Sequence, residues 1–259
     1  MKKLVLLLAM ASAVFAANAS AITYGEPTTE YPYVGALVGT FDGETYPYCT
    51  GTLIDADTVL TAAHCDPGTE EACVTFDPVY TSTSKLYCGT FIAYEGYYGG
   101  EDNPLDVAVI ELYRPVRGIE PAQRAPVGYL DTLKAAGELN QSTAFISVGY
   151  GSQEVQPKQH GWGYPGPTFT YLDTREVAVG YFNALGPGYL RISQNISTGS
   201  GGTCYGDSGG PQFIQDPATG ELLLVSVTVT GDMFCRSTNV TQRLDLPEIQ
   251  AWLSQFLLD

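Results

Sequence analysis

Three short segments of this chain hold residue types able to do hydrolytic chemistry. Thr61-Ala62-Ala63-His64-Cys65 follows a β-rich run. Asp106 opens the apolar stretch Asp106-Val107-Ala108-Val109-Ile110-Glu111-Leu112. Gly206-Asp207-Ser208-Gly209-Gly210-Pro211 follows a glycine-rich loop. A serine hydroxyl is a weak nucleophile at neutral pH and needs an adjacent base, a task that suits histidine. Singly, each residue has an ordinary structural role. A serine between glycines makes a turn, an aspartate before a strand is a cap or surface charge, and a lone histidine can be satisfied in a core. Taken together they point to acyl transfer.

The order His64, Asp106, Ser208 within these segments resembles the chymotrypsin/trypsin-like serine proteases, over essentially the whole chain after residue 21. The resemblance implies that His64 takes the Ser208 proton and returns it to the leaving amine, while Asp106 fixes the tautomer of His64. It also implies an oxyanion hole built from the N–H groups of Gly206 and Ser208. Protein or peptide substrates are expected, with no metal and no organic cofactor. Residues 206–210 also satisfy G-x-S-x-G, the nucleophile elbow of α/β-hydrolases, whose order is serine, acid, histidine. The chain has two histidines, His64 and His160, and both precede Ser208, so that reading fails on order. The subtilisin order of acid, histidine, serine does not fit Asp106 either. His160 lies in a Gly/Pro-rich loop and reads as solvated. An inactive homologue that binds partners is the alternative class, and such proteins usually lack a triad residue that this chain keeps.

Short β-rich runs at 34–41, 49–54, 73–76, 106–112, 143–148, 177–182 and 222–230, separated by turn signals, predict an all-β sandwich or barrel. The resemblance narrows this to two packed six-stranded antiparallel β-barrels with a C-terminal α-helix. His64 and Asp106 then lie on the first barrel, Ser208 on the second, and the cleft between them. Residues 22–125 are expected to form the first barrel, 126–245 the second and 246–259 the helix. Pro247 and Glu248 suit a helix start, and Ile249, Trp252, Leu253, Phe256 and Leu257 recur on one helical face.

Lys2 and Lys3, the apolar run 4–15 and the small residues 16–21 follow the order of a secretory signal. The run is shorter than the roughly 20 residues of a membrane helix. A secreted monomer without membrane attachment is therefore expected, with residues 1–21 removed. The whole chain carries a net charge of −16, and loss of Lys2 and Lys3 makes it more negative still. That charge argues against nucleic acid as a partner, because nucleic acid is itself a polyanion. Six cysteines in a secreted chain suggest three disulfides, for which sequence alone leaves 15 pairings open. The resemblance implies Cys49–Cys65 and Cys204–Cys235, which leaves Cys73 with Cys88. Asn140, Asn195 and Asn239 stand in N-x-S/T sequons.

Ile22-Thr23-Tyr24-Gly25 resembles the family's mature start, directly after the Ala19-Ser20-Ala21 cleavage signal. The resemblance implies that the freed Ile22 amine pairs with Asp207, and the spacing suggests that signal cleavage itself releases that amine, although Ala17-Asn18-Ala19 also fits the cleavage rule and would leave a dipeptide to trim. Relatives that cut after Lys or Arg carry an aspartate where this chain has Gly202. With Thr203, Tyr205, Val229, Thr230 and Gly231 around it, the expected pocket favours apolar or aromatic side chains. The usual serine that supports the triad acid is replaced by Val229, which leaves that role to Thr228 or to nothing.

Overall fold

The structure, a computed structural model, describes residues 22–99, 105–155, 168–171 and 173–258. The signal segment, His160 and the loop 161–167 lie outside these residues. The elements in chain order are β1 (Glu26–Pro27), β2 (Val34–Phe41), β3 (Glu44–Asp55), β4 (Thr58–Thr61), β5 (Glu71–Thr75), β6 (Tyr87–Ala93) and β7 (Ala108–Leu112). Helix α1 (Tyr129–Ala135) precedes β8 (Ala144–Gly149), β9 (Ser152–Val155), β10 (Thr168–Tyr171), β11 (Glu176–Leu185) and β12 (Tyr189–Ser193). Then come β13 (Pro211–Gln215), β14 (Leu222–Gly231), β15 (Thr238–Arg243) and α2 (Pro247–Leu253).

Strands β2-β3-β4-β7-β6-β5 close into one antiparallel barrel through the β2–β5 pairing. Strands β8-β13-β14-β15-β12-β11 close the second through β11–β8, and β1 adds beside the start of β11. The fold is thus two six-stranded antiparallel barrels, as the resemblance implied, with a C-terminal α-helix that spans Pro247–Leu253.

Alternation within a strand decides what is packed where, because successive side chains point to opposite faces. In β4, Val59 enters the first barrel's interior with Leu37, Leu53 and Ile110, while Leu60 faces outward. In β7 the same division separates Ile110 from Val109. Leu60 and Val109 join Val148, Phe213 and Val227 of the second barrel and Trp252 of α2 in a shared cluster. Val109 and Ile110 are thus buried on opposite faces of β7, which is why the strand reads as apolar apart from the exposed Glu111. The polar clamp between the barrels is Arg175, almost fully buried, whose guanidinium donates to the carbonyls of Val34 and Phe76 and to the Tyr150 hydroxyl.

All six cysteines are paired, as Cys49–Cys65, Cys73–Cys88 and Cys204–Cys235. Among the described residues no helix is long and apolar enough to cross a membrane. Helix α1 had no counterpart in the sequence reading. It buries only Leu130 and Leu133, and its first turn is held by the Leu130 N–H donating to the distant Asp245 carboxylate. Strand β7 begins at Ala108, so Asp106 stands in the loop two residues ahead of it rather than opening it. Asn239 is buried and donates to the Thr228 hydroxyl, so its sequon is closed to a glycan in the folded chain.

Candidate active site

The pairing of β4 with β7 sets Thr61 opposite Ala108. The chain leaving β4 makes a 3-10 turn over Ala63–Cys65, and the chain entering β7 comes from Asp106. The two strand ends lie side by side, so His64 and Asp106 meet. His64 Nδ1 lies 2.7 Å from Asp106 Oδ2, and the His64 backbone N–H donates to Oδ1 at 2.9 Å. One residue thus occupies both carboxylate oxygens. A proton on Nδ1 would donate to the carboxylate and leave the Nε2 lone pair free to accept. The Asp106 side chain is 11% exposed and that of His64 is 31% exposed, so the acid is shielded and the ring can be reached.

Ser208 sits in a turn bracketed by Gly206 at φ +97° and Gly209 at φ +76°, backbone conformations that need glycine. The turn is tied to both barrels. Thr50 on β3 donates its N–H to the Ser208 carbonyl at 2.8 Å and its hydroxyl to the Gly206 carbonyl at 3.0 Å. Gly209 N–H donates to the Thr228 carbonyl on β14 at 2.8 Å. A Cβ on Gly209 would collide with Thr61 and Ala62, which places the nucleophile turn directly against the residues leading to His64. Among the described residues no group of the chain accepts a hydrogen bond from the N–H of Gly206 or Ser208. Thr50 was not foreseen. Its only signal in the sequence is its place beside Cys49, and its role depends on contacts more than 150 residues away.

Asp207 is fully buried, and its two oxygens accept from Gly151 N–H and Cys204 N–H, each at 2.8 Å. Burial pushes its carboxyl up to about 7, and the two backbone donors only partly offset that. The ordinary value is near 4, so between about pH 4 and 7 the folded state binds a proton that the unfolded state has released. Stability then falls as pH rises through that window, by up to roughly 4 kcal/mol, and is level above it. Asp207→Asn is expected to lower the melting temperature at acid pH, because its NH2 would face an N–H donor. It should also remove the fall between pH 4 and 7. Melting temperatures of both proteins across pH 4 to 8 check this, and an unchanged slope in the variant would refute it.

The Ile22 nitrogen does not lie on Asp207. Ile22 is fully buried, and its N–H donates to Glu176 Oε2 at 2.8 Å, with Glu176 also fully buried. Thr23 follows in a bridge to Gly202, whose N–H donates to the Thr23 carbonyl at 3.0 Å.

A cavity of about 310 Å³ opens beside Ser208, and Thr203, Tyr205, Val229, Thr230 and Gly231 all line it. Gly202 lies behind the lining rather than in it. A Cβ there would collide with Gln194, which was not foreseen and forms part of the wall. Gln194 is buried, and its Oε1 accepts from the Thr203 hydroxyl at 3.2 Å. Asp232 also borders the cavity, but its carboxylate accepts from the N–H groups of Arg236, Ser237 and Thr238 and is drawn below its usual range by those bonds against the cost of burial. Tyr205 is 46% exposed at the rim, where its hydroxyl donates to the Met233 carbonyl.

Val229 leaves Asp106 without a serine. Among the described residues no hydrogen bond joins Thr228 to Asp106; the Thr228 hydroxyl instead accepts from Gln212 and Asn239. The His64 backbone N–H is what holds Asp106 Oδ1. Cys49, His64 and Cys65 come within ligand distance of one another, as do Glu71, Cys73 and Cys88. Each group contains a disulfide, whose sulfurs are no longer the thiolates a soft metal needs.

Comparison with known proteins gives a match to the family model described as Trypsin over residues 23–252. A trypsin from Saccharopolyspora erythraea is 29% identical over 204 residues, covering 74% of this chain and 80% of that protein.

Proposed function

This chain belongs to the trypsin family and is a serine protease acting on protein substrates, and on that premise we propose that it is a secreted endopeptidase working through an acyl-enzyme on Ser208. The observation that carries this reading is the double attachment of Asp106 to His64, through Nδ1 and through the backbone N–H. His64 Nε2 takes the Ser208 proton as Oγ adds to the scissile carbonyl. The developing oxyanion lies toward the N–H groups of Gly206 and Ser208. His64 then gives that proton to the leaving amine, and the C–N bond breaks. Water repeats the sequence on the acyl-enzyme, releasing the acid and restoring Ser208. Secretion is supported by the signal-like segment 1–21 and by three disulfides, which persist in oxidising compartments.

The test is labelling by an aryl phosphonate ester, read by intact mass. One adduct is expected on the wild type and none on Ser208→Ala. An unlabelled wild-type protein of native fold would favour a binding homologue instead.

The pocket supports preference for an uncharged side chain before the scissile bond. Its inner wall offers the neutral amide of Gln194 where a cation would need an anion, and the Asp232 carboxylate is spent on its own loop. Burying an unpaired ammonium or guanidinium costs several kcal/mol. Aromatic and apolar residues should therefore exceed Lys and Arg in kcat/KM by on the order of 100-fold. Gly202→Asp alone should not install cleavage after Arg, because its Cβ collides with Gln194. It should instead lower turnover of aromatic substrates. Adding Gln194→Ala makes room for the new carboxylate, and cleavage after Arg should then appear. Profiling both variants on a peptide library checks this; Arg cleavage from the single variant would contradict the placement of Gln194.

A further inference from the structure

We propose that the side-chain amide of Gln194 reads the substrate, and that it makes the pocket select tyrosine over phenylalanine before the scissile bond. The proposal rests on the protease reading and on the preference of the cavity beside Ser208 for an uncharged side chain. Gln194 is only 1% exposed, yet it lines that cavity. It is held firmly. Its backbone N–H donates to the Ser237 carbonyl at 2.9 Å, and its Oε1 accepts from the Thr203 hydroxyl at 3.2 Å. Among the described residues nothing accepts a hydrogen bond from its Nε2. A buried polar group without a partner is rare in a folded chain and calls for a reason.

The amide spans the inner wall of the cavity. Its Oε1 end lies where a Cβ of Gly202 would collide, and its Nε2 lies 3.9 Å from where a Cβ of Gly231 would stand. Gly231 lines the cavity too, so the unused donor is on the side that a substrate side chain would fill. Glycine at 202 is what leaves the amide this position. Ser208 borders the same cavity, so the side chain that reaches Gln194 belongs to the residue whose carbonyl Ser208 attacks.

The chemistry of the wall then decides between two rings of nearly the same shape. Water reaching the open cavity pairs with such a donor until a side chain displaces it. Phenylalanine displaces the water and offers nothing back, and an N–H buried without a partner is costly. Tyrosine has the same apolar ring, for which Val229 and the Cys204–Cys235 disulfide provide apolar surface. Its hydroxyl oxygen accepts from Nε2, and Thr203 and Thr230 offer hydroxyl oxygens in the same cavity for its proton. Sites that hydrogen-bond a substrate hydroxyl reject the analogue lacking it far more strongly than apolar pockets sort by size. Glutamate also carries an acceptor, but among the described residues no Lys or Arg lines the cavity and Asp232 borders it. Its carboxylate would be buried without a counter-charge.

The experiment uses the secreted full chain and three peptides that differ only before the scissile bond, in tyrosine, phenylalanine or para-methylphenylalanine. The para-methyl ring matches tyrosine in size and lacks its oxygen, so it separates a hydrogen bond from the filling of space. In the wild type, kcat/KM for the tyrosine peptide should exceed both others by about 30-fold. In Gln194→Met, which keeps a similar volume without the N–H, the tyrosine and para-methyl peptides should come within threefold of each other. Tyrosine and para-methylphenylalanine used equally by the wild type overturns the proposal, as does a tyrosine lead that survives whole in Gln194→Met. If Gln194→Met does not fold, Gly202→Ala takes its place, because the new Cβ displaces the amide from its Oε1 end. The lead should shrink there in the same way, and an undiminished lead overturns the proposal. Failure of the readings beneath it shows separately. Absence of Ser208 labelling by phosphonate overturns the protease reading, and a labelled enzyme that cuts only after Lys or Arg overturns the uncharged pocket. A labelled enzyme that cuts after aromatic residues without regard to the hydroxyl overturns this proposal alone.

Discussion

Asp106→Asn should lower kcat by about 10⁴ while leaving the fold intact. Asp106 presents two acceptors to one residue, Oδ1 to the His64 backbone N–H and Oδ2 to Nδ1–H. Asparagine offers one acceptor and one donor. If its oxygen takes the backbone N–H, its NH2 faces Nδ1 and forces the ring into the tautomer protonated at Nε2. The base is then blocked by a proton in the place where it must accept one. If the amide turns the other way, two N–H donors oppose each other at the backbone. The first arrangement removes the base, the second gives up the backbone bond that holds the side chain in place, and neither opens a cavity. Hydrolysis of an aromatic peptide by the variant, with a melting curve as the fold control, measures this. A loss below tenfold would show that His64 does not depend on Asp106. The effect should be larger than that of any change at Thr228, whose hydroxyl is committed to Gln212 and Asn239.

Gly151→Ala is the second large effect. The added Cβ would collide with the Asp207 carboxylate and approach the Asp207 backbone nitrogen. Asp207 cannot retreat, because it is fully buried and its oxygens are bound on two sides. Overpacking of this kind typically costs about 1–3 kcal/mol. Here the displacement falls on the residue next to the nucleophile, so kcat should fall by more than 100-fold, in line with loss of an oxyanion donor. Gly186→Ala makes a fair control, since a Cβ there meets only the Tyr189 carbonyl at 3.6 Å. Equal activity of the two variants would contradict a rigid turn at Asp207.

The sequence showed most clearly what depends on near neighbours. His64 and Ser208 each stand inside a short motif, and glycines at 206 and 209 mark the positive φ their turn requires. Among the strands it missed, β6 is long and apolar enough to have been read, whereas others are short or polar. Strand β4 has four residues, and β15 is Thr-Asn-Val-Thr-Gln-Arg, whose buried Thr241 and Arg243 are satisfied by Ser226, Asp245 and Asp131. Such polar pairs replace the apolar alternation by which a strand is recognised. Gln194, Thr50 and Glu176 escaped for a related reason. Gln194 becomes a pocket residue only when the chain brings Gly202 and Thr203 against it. Glu176 meets Ile22 across 154 residues, and Thr50 meets Gly206 across 156. No local pattern records a contact made by strand register.

The most direct test of the account is to trap the acyl-enzyme. The purified secreted protein is mixed rapidly with an aromatic amino-acid ester, quenched in acid and digested. Mass spectrometry should find the acyl group on the peptide that contains Ser208, and none in His64→Ala within the same mixing time. Ester hydrolysis with no acyl group on Ser208, or an acyl group on any other residue, would contradict it.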